Sequence, residues 1–488
     1  MTTEARGAGR APVARALLVG PFVSFVWFGS SAIAAPTERF AEREGLACAI
    51  CHVGTDGGPL TAFGRDYRWR TPFLHDGQDG GELAAPVGAG SSSFGRWSGE
   101  LASFARSGRD RAFGERTHTW SATETLRLRG DELFGDESLS FRGDGFASNS
   151  AGSGDDGFDD DSLGMSSAEV TWRGDAAGAF VRFGRQFVVA GAATRRVDGA
   201  AIRQPLGERL EIDLFGGAPV EDGLGGRGGD LITGGRLGVR LGQSLRFGSS
   251  AYYAKDHSDP SDVKGGLDLQ WSPSRRFELF THFYWDWLAD QLYDARAHLV
   301  FTPSIEWQIA YDWTRSVPGL FLPKSSLYSV FSNEEYEEHG LTVTRRFSSA
   351  LSANVFGRHT DYAESDSLAQ VGSGLDARYG PNGEDAVGAE AGWQDESRTS
   401  FGGSSTDDDA LFARVWHLLW WTGSIYTSVD ASTLFVMDDS FERDAALVRI
   451  AAGYDPHAWW DAEIGTDWVR DPDFEGRLDL FARLRIRF

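Results

Sequence analysis

From Trp97 to its last residue the chain alternates apolar and polar side chains with a period of two, and this alternation restricts its fold more than any other feature. Phe277, Leu279, Thr281, Phe283, Trp285 and Trp287 share one face of a segment, with Glu278, His282 and Asp286 on the other. Tyr293, Ala295, Ala297, Leu299 and Phe301 form the next face, against Asp294, Arg296 and His298. Ile305, Trp307, Ile309, Tyr311 and Trp313 follow a Pro303-Ser304 turn. In the final segment Leu478, Leu480, Ala482, Leu484, Ile486 and Phe488 alternate with Asp479, Phe481, Arg483, Arg485 and Arg487. Alternating strands also build soluble sandwiches, but here tryptophans recur near segment ends, as aromatic girdles at two bilayer interfaces require. Beyond residue 34 no run of 18 apolar residues remains, which excludes a transmembrane helix there. The expectation is an all-β protein, a transmembrane antiparallel barrel of about 16–18 strands.

That strand number follows from a count near nineteen, beginning at Trp97 and continuing through Thr117–Arg129, Met165–Gly174 and Ala179–Phe187 to the terminal segment. A barrel with both termini on one side needs an even number, hence 16–18. Short turns such as 242–244, 272–275 and 348–350 alternate with long polar connections. The 61 glycines, 17 tryptophans and 16 prolines suit such a barrel and no collagen-like or disordered chain. A net charge of −24 argues against nucleic acid as a partner. The chain has only three lysines among 47 basic residues, which reads as codon bias.

Upstream of the barrel the chain is of a different kind. Residues 1–34 read as a signal peptide: Arg6, Arg10 and Arg15, then an apolar run from Ala16 to Ala34 ending in Ala32-Ile33-Ala34, with a membrane anchor as the alternative. Residues 35–92 contain Cys48-Ala-Ile-Cys51-His52, with the only two cysteines in the chain, at the spacing of c-type haem attachment. Two thiols so spaced can reach both vinyl groups of one porphyrin, and His52 can take the proximal position on the iron. A redox disulfide or half of a zinc site are the other readings; the first lacks a βαβ context and the second lacks further cysteines. His75 is the other histidine of the segment and the candidate distal ligand, with lumen-facing His282 and His298 as alternatives. Gly77 to Ser93 reads as a flexible linker into a barrel spanning 93–488.

Phe40-Ala41, Gly45, the Cys48/Cys51/His52 group, Pro59-Leu60 and Phe63-Gly64-Arg65 resemble the haem segment of the fused outer-membrane monohaem cytochrome–porins of iron-oxidising bacteria. The match covers about residues 39–69, and the polar spacer Val53 to Gly58 departs from it. The terminal segment likewise resembles the C-terminal signature of outer-membrane proteins, and Phe183-Gly184-Arg185-Gln186 a strand motif of porins. The resemblance implies a bacterial outer-membrane protein in which a small cytochrome with one covalent haem c is joined to a porin, and a segment of this size is expected to sit in or at the mouth of a lumen as wide as 16–18 strands enclose. It implies an electron-transfer oxidoreductase activity that takes electrons from extracellular Fe(II) to a periplasmic cytochrome or other carrier. The alternatives are a solute-passing porin with a structural or regulatory haem segment, and the same conduit run outward to an external acceptor. Acidic runs at Asp155 to Asp161, Glu334 to Glu338 and Asp407 to Asp409 fall in connections expected outside the cell. They either gather divalent cations or form an ordinary solvated surface.

Overall fold

The computed structural model describes residues 95–112, 115–152, 160–174, 179–220, 230–256, 259–274, 276–317, 335–363, 367–380, 384–395, 409–437, 445–456, 459–471 and 474–488. The first part of the wall is β1 (Arg96–Ala112), β2 (Glu115–Asp131), β3 (Leu139–Gly152), β4 (Asp160–Arg173), β5 (Phe180–Ala190), β6 (Ala193–Leu206) and β7 (Leu210–Pro219). It continues with β8 (Leu231–Leu241), β9 (Leu245–Asp256), β10 (Asp259–Ser274), β11 (Phe277–Asp286), β12 (Gln291–Ser304), β13 (Trp307–Ser316), β14 (Tyr336–Arg346) and β15 (Leu351–Tyr362). The remaining strands are β16 (Leu368–Tyr379), β17 (Asp385–Gln394), β18 (Ala410–Trp420), β19 (Ile425–Val436), β20 (Ala445–Tyr454), β21 (Trp460–Asp471) and β22 (Phe474–Arg487). Each strand pairs antiparallel with the next, and β1 pairs with β22 from Glu100↔Arg487 to Arg111↔Gly476, so one 22-stranded sheet closes on itself.

The count is therefore 22 and not 16–18. The additional strands are β3, β6 and β16, whose outward rows carry too little apolar contrast to be seen as periodic. On β3 the outward positions after Phe141 are Gly143, Gly145 and Ala147. On β6, Arg196 and Asp198 occupy outward positions, and on β16 Ala369, Ser373 and Ala377 separate Val371, Leu375 and Tyr379. A second correction concerns Tyr293. A register shift between Tyr284 and Trp285 turns this residue inward, where it is buried against the Lys264 ammonium, while Ala295 to Phe301 keep the outward row.

Outside, exposed tryptophans form two belts. Trp97, Trp172, Trp271, Trp307, Trp421 and Trp459 stand at one rim, and Trp120, Trp285, Trp287 and Trp468 toward the other. Trp120 pairs with Ser107, ten residues along β1 from Trp97. At a ~3.3 Å rise and a tilt of roughly 40° that separates the belts by about 25 Å, the height of an outer-membrane hydrocarbon band. The rim bearing both chain ends of the barrel has short turns, such as 207–209 and 242–244. There Asp136 accepts hydrogen bonds from the Ser138 hydroxyl and backbone N–H, which hold its carboxyl below the usual range. The long connections, 220–230, 317–335 and 395–409, all belong to the opposite rim.

Candidate functional site in the barrel lumen

The inner wall is cross-braced by arginine–carboxylate pairs between strands, most of them neighbours, with Arg236 of β8 reaching across β9 to Asp268 of β10. Arg236 reaches Asp268 at 2.6 and 3.0 Å, Arg203 reaches Asp213 at 2.6 Å, Arg414 reaches Asp430 at 2.5 and 2.9 Å, and Arg449 reaches Asp467 at 2.7 and 2.8 Å. Beside the closing seam Arg485 and Arg487 converge on Asp461, and Arg106 and Arg477 on the fully buried Asp479. A planar guanidinium engages a carboxylate through two N–H groups at once, which a lysine ammonium cannot do. The scarcity of lysine, read above as codon bias, therefore has a structural reason inside the barrel.

One element departs from the cylinder. Pairing of β4 with β5 stops at Ala168↔Arg185, although β4 extends to Asp160 and β5 to Ala190. Gly184, at φ +115°, marks the departure, and a Cβ there would meet the Ala168 carbonyl. Gly199 and Gly217 lie beside it across β6 and β7 and let those backbones approach closely. Above this line the β5–β6 hairpin leans over the inner faces of β7 to β9. Val188, Ala190, Ala193 and Val197 pack on Phe215, Ile232 and Tyr252 in an apolar cluster inside the barrel. At the tip the Ala192 N–H donates to the Ser250 hydroxyl at 2.9 Å, and the Tyr293 hydroxyl donates to the Ala192 carbonyl at 3.2 Å.

A charged latch holds the hairpin down. Asp262 accepts from Arg195 of β6 at 3.0 Å and from the Tyr252 hydroxyl at 2.5 Å, and its other oxygen lies 3.1 Å from the Lys264 ammonium. Lys264 is 2% exposed, 3.9 Å from Asp286 and 4.4 Å from the centre of the Tyr293 ring. The hairpin thus narrows the lumen toward the long-loop rim. Sequence patterning misses it because Arg196 and Asp198 break the outward row of β6; the available signals were Gly184, Gly191 and Gly199 close together with a lysine among arginines.

Cys48, Cys51, His52 and His75 lie outside the described residues, as do residues 1–94 generally. His282 and His298 do face inward, as expected, but each is held in the wall. His282 Nε2 lies 2.8 Å from Asp294, and its ring stacks on Tyr284 at 4.4 Å; His298 Nδ1 lies 2.5 Å from Asp312. At 8% and 7% exposure neither is offered to a ligand in the lumen. Of the acidic runs, Asp155 to Asp159, Glu334, Asp407 and Asp408 lie outside the described residues. The rest of the middle run is paired in the wall: Glu335 with Arg315, Glu337 with Trp313 Nε1 and His339, and Glu338 with Arg358. Among the described residues no group of three or more His, Cys, Asp or Glu is arranged to hold a metal ion.

A closed antiparallel barrel with inward ion pairs and an outward apolar band between two tryptophan belts is an outer-membrane β-barrel, since backbone polar groups in lipid are satisfied only by helices or closed sheets. The chain is therefore a porin-like protein of the bacterial outer membrane, with its short-turn rim toward the periplasm. No family model matches it, and neither does any curated protein. Among solved structures, Pseudomonas aeruginosa OccK5 aligns at 9% identity over 80% of this chain and 98% of its own, with a TM-score of 0.39. The P. aeruginosa siderophore receptor PirA aligns at 12% identity over 81% of each chain, with a TM-score of 0.49. The P pilus usher PapC aligns at 10% identity over 80% of this chain and 99% of its own, with a TM-score of 0.38.

Proposed function

We propose that the protein is an outer-membrane electron conduit in which a segment carrying one haem c is fused to the barrel, taking electrons from extracellular ferrous iron to a periplasmic carrier. The observation that carries this reading is Cys48-x-x-Cys51-His52 in the segment that precedes β1. The donor set suits a single porphyrin: two thiols for its thioether bonds and the adjacent imidazole of His52 as proximal ligand, with His75 as candidate distal ligand. When bound, haem c would supply one-electron cycling between ferric and ferrous iron. The barrel supports the reading in two ways. A cylinder of 22 strands encloses a lumen far wider than its own side chains fill, and barrels of this size are commonly plugged. The segment bearing the motif joins β1 at the short-turn rim, where the plug of such a barrel would enter, while the β5–β6 hairpin narrows the other end.

The test is a redox titration of the purified full chain with ferrous iron as reductant. Covalent haem with an α-band that sharpens on adding iron is expected, and Cys48→Ser with Cys51→Ser should abolish both. Material without thioether-bound haem would overturn the reading. Haem that ferrous iron leaves oxidised, but that passes electrons to an external acceptor, would reverse the direction. A second reading, a solute-passing porin with a structural haem segment, is favoured by the ion-paired lumen and its constriction. Planar-bilayer conductance separates the two, since a plugged conduit passes few ions and a porin many.

A further inference from the structure

The ladder between β4 and β5 ends at Ala168↔Arg185, and above it β4 runs on from Ser167 to Asp160 with an edge that pairs with no strand on the β5 side among the described residues. Ala168 lies four residues above Trp172 of the lower tryptophan belt, which puts the start of this opening about 10 Å above that belt. From there it extends to the long-loop rim, through the half of the hydrocarbon band that belongs to the outer leaflet.

The two sides of the opening differ in chemistry. Val181 and Phe183 stand on the lipid-facing row of β5, and Arg185, Phe187 and Val189 continue that row into the hairpin. The alternate positions Val188 and Ala190 pack on Phe215, Ile232 and Tyr252 at the inner faces of β7 to β9. Side chains alternate across a strand, so Phe187 and Val189 face away from that contact, and both are half exposed. A mostly apolar row therefore begins in the membrane and ends inside the barrel. On the opposite side β4 presents Leu163, 89% exposed, and Met165. Their partners on β3, Ala147 and Gly145, are small and leave this lip low on the lipid side. The sill is polar: the Arg185 guanidinium donates to both oxygens of Asp198 at 2.7 and 2.8 Å and to the Met165 carbonyl at 3.0 Å. The backbone groups of the open β4 edge are polar too, and at membrane depth such groups are tolerated only where protein covers them or where they line a watered cavity.

We propose that this opening is a lateral portal between the outer leaflet and the lumen, and that its ligand is a single-chain amphiphile. The alkyl chain lies along Phe183, Phe187 and Val189, and a hydrogen-bonding head group, such as a carboxylic acid, sits at the β4 edge. A bare alkane would leave that edge unpaired, and a purely hydrophilic solute would leave the apolar row in water. The latch of Arg195, Tyr252 and Lys264 on Asp262 holds the hairpin inward and so keeps the portal open. The portal uses none of Cys48, Cys51 and His52 and stands apart from the haem reading.

The test is photolabelling of the full chain in phospholipid nanodiscs with palmitic acid carrying a diazirine on its chain, mapped by peptide mass spectrometry. Adducts are expected on Phe187 and Val189 as well as on the lipid-facing Leu214 and Leu237, while the lumen-facing Thr342 and Ser432 of the far wall stay unlabelled. Excess unlabelled palmitic acid should remove the hairpin adducts, and hexadecane should leave them. Leu163→Trp with Met165→Trp, which fills the opening from its β4 side, should lose the hairpin adducts and keep those on Leu214 and Leu237 in barrels that still migrate as folded. Absence of hairpin adducts beside a labelled outer wall would overturn the proposal. Equal labelling of Thr342 and Ser432 would do the same, since the probe would then enter by the mouth of the barrel. So would equal displacement by hexadecane, or hairpin adducts unmoved by the paired tryptophans.

Discussion

Asp479 shows what single residues contribute to this wall. Its carboxylate is fully buried and shared by Arg106 from β1 and Arg477 from its own strand, at the seam where the last strand meets the first. Removing it leaves two partly exposed arginines short of a counter-charge, a loss of about 1–3 kcal/mol. Asp479→Ala is therefore expected to lower the temperature at which the barrel loses its fast, folded migration on a detergent gel. Asp479→Glu should recover part of it. The seam's position was legible, because the alternation of β22 placed Asp479 on the inward row. Its partners were not, since they depend on the register with β1, which no local pattern carries. His282 and His298 show the same division: their inward direction followed from period two, whereas the carboxylates that hold them in the wall followed from pairing.

Among the elements, β22 and the β5–β6 hairpin contrast most. The backbone N–H of Gly99 donates to the Phe488 carbonyl at 2.6 Å, and the Phe488 N–H donates back at 2.9 Å, so the final residue completes the ring. A Cβ on residue 99 would strike the Phe488 ring. Deleting Phe488, or replacing Gly99 with Leu, is expected to reduce folded barrel in isolated outer membranes several-fold, measured by protease-resistant, heat-modifiable protein. The hairpin is held differently, by an apolar underside and one charged latch. Asp262→Asn removes the carboxylate that joins Arg195, Tyr252 and Lys264, which is also the one nearer the buried ammonium, Asp286 lying further off. The expected result is a loss of about 3–5 kcal/mol in barrel stability against urea. Hydrogen exchange should rise locally in residues 186–197 while β14 to β20 stay protected. Unchanged exchange there would show that the apolar underside alone holds the hairpin.

At the scale of the whole molecule, the sequence by itself determined that a cylinder would form and which way its side chains would point. A two-residue period in segments long enough to cross a bilayer has one stable solution in lipid, a closed sheet, and terminal tryptophans set its height. It also carries the motif on which the proposed haem site rests, since the spacing of Cys48, Cys51 and His52 is a property of consecutive residues. Only the tertiary structure decided the circumference, because three strands whose outward rows are broken by glycine, alanine, serine or charged residues are visible as strands only beside neighbours that complete their ladders. It likewise decided that β5 and β6 leave the wall and that arginines brace it across strands. Those properties arise between residues far apart in the chain, where register and closure, and not local periodicity, set which groups meet.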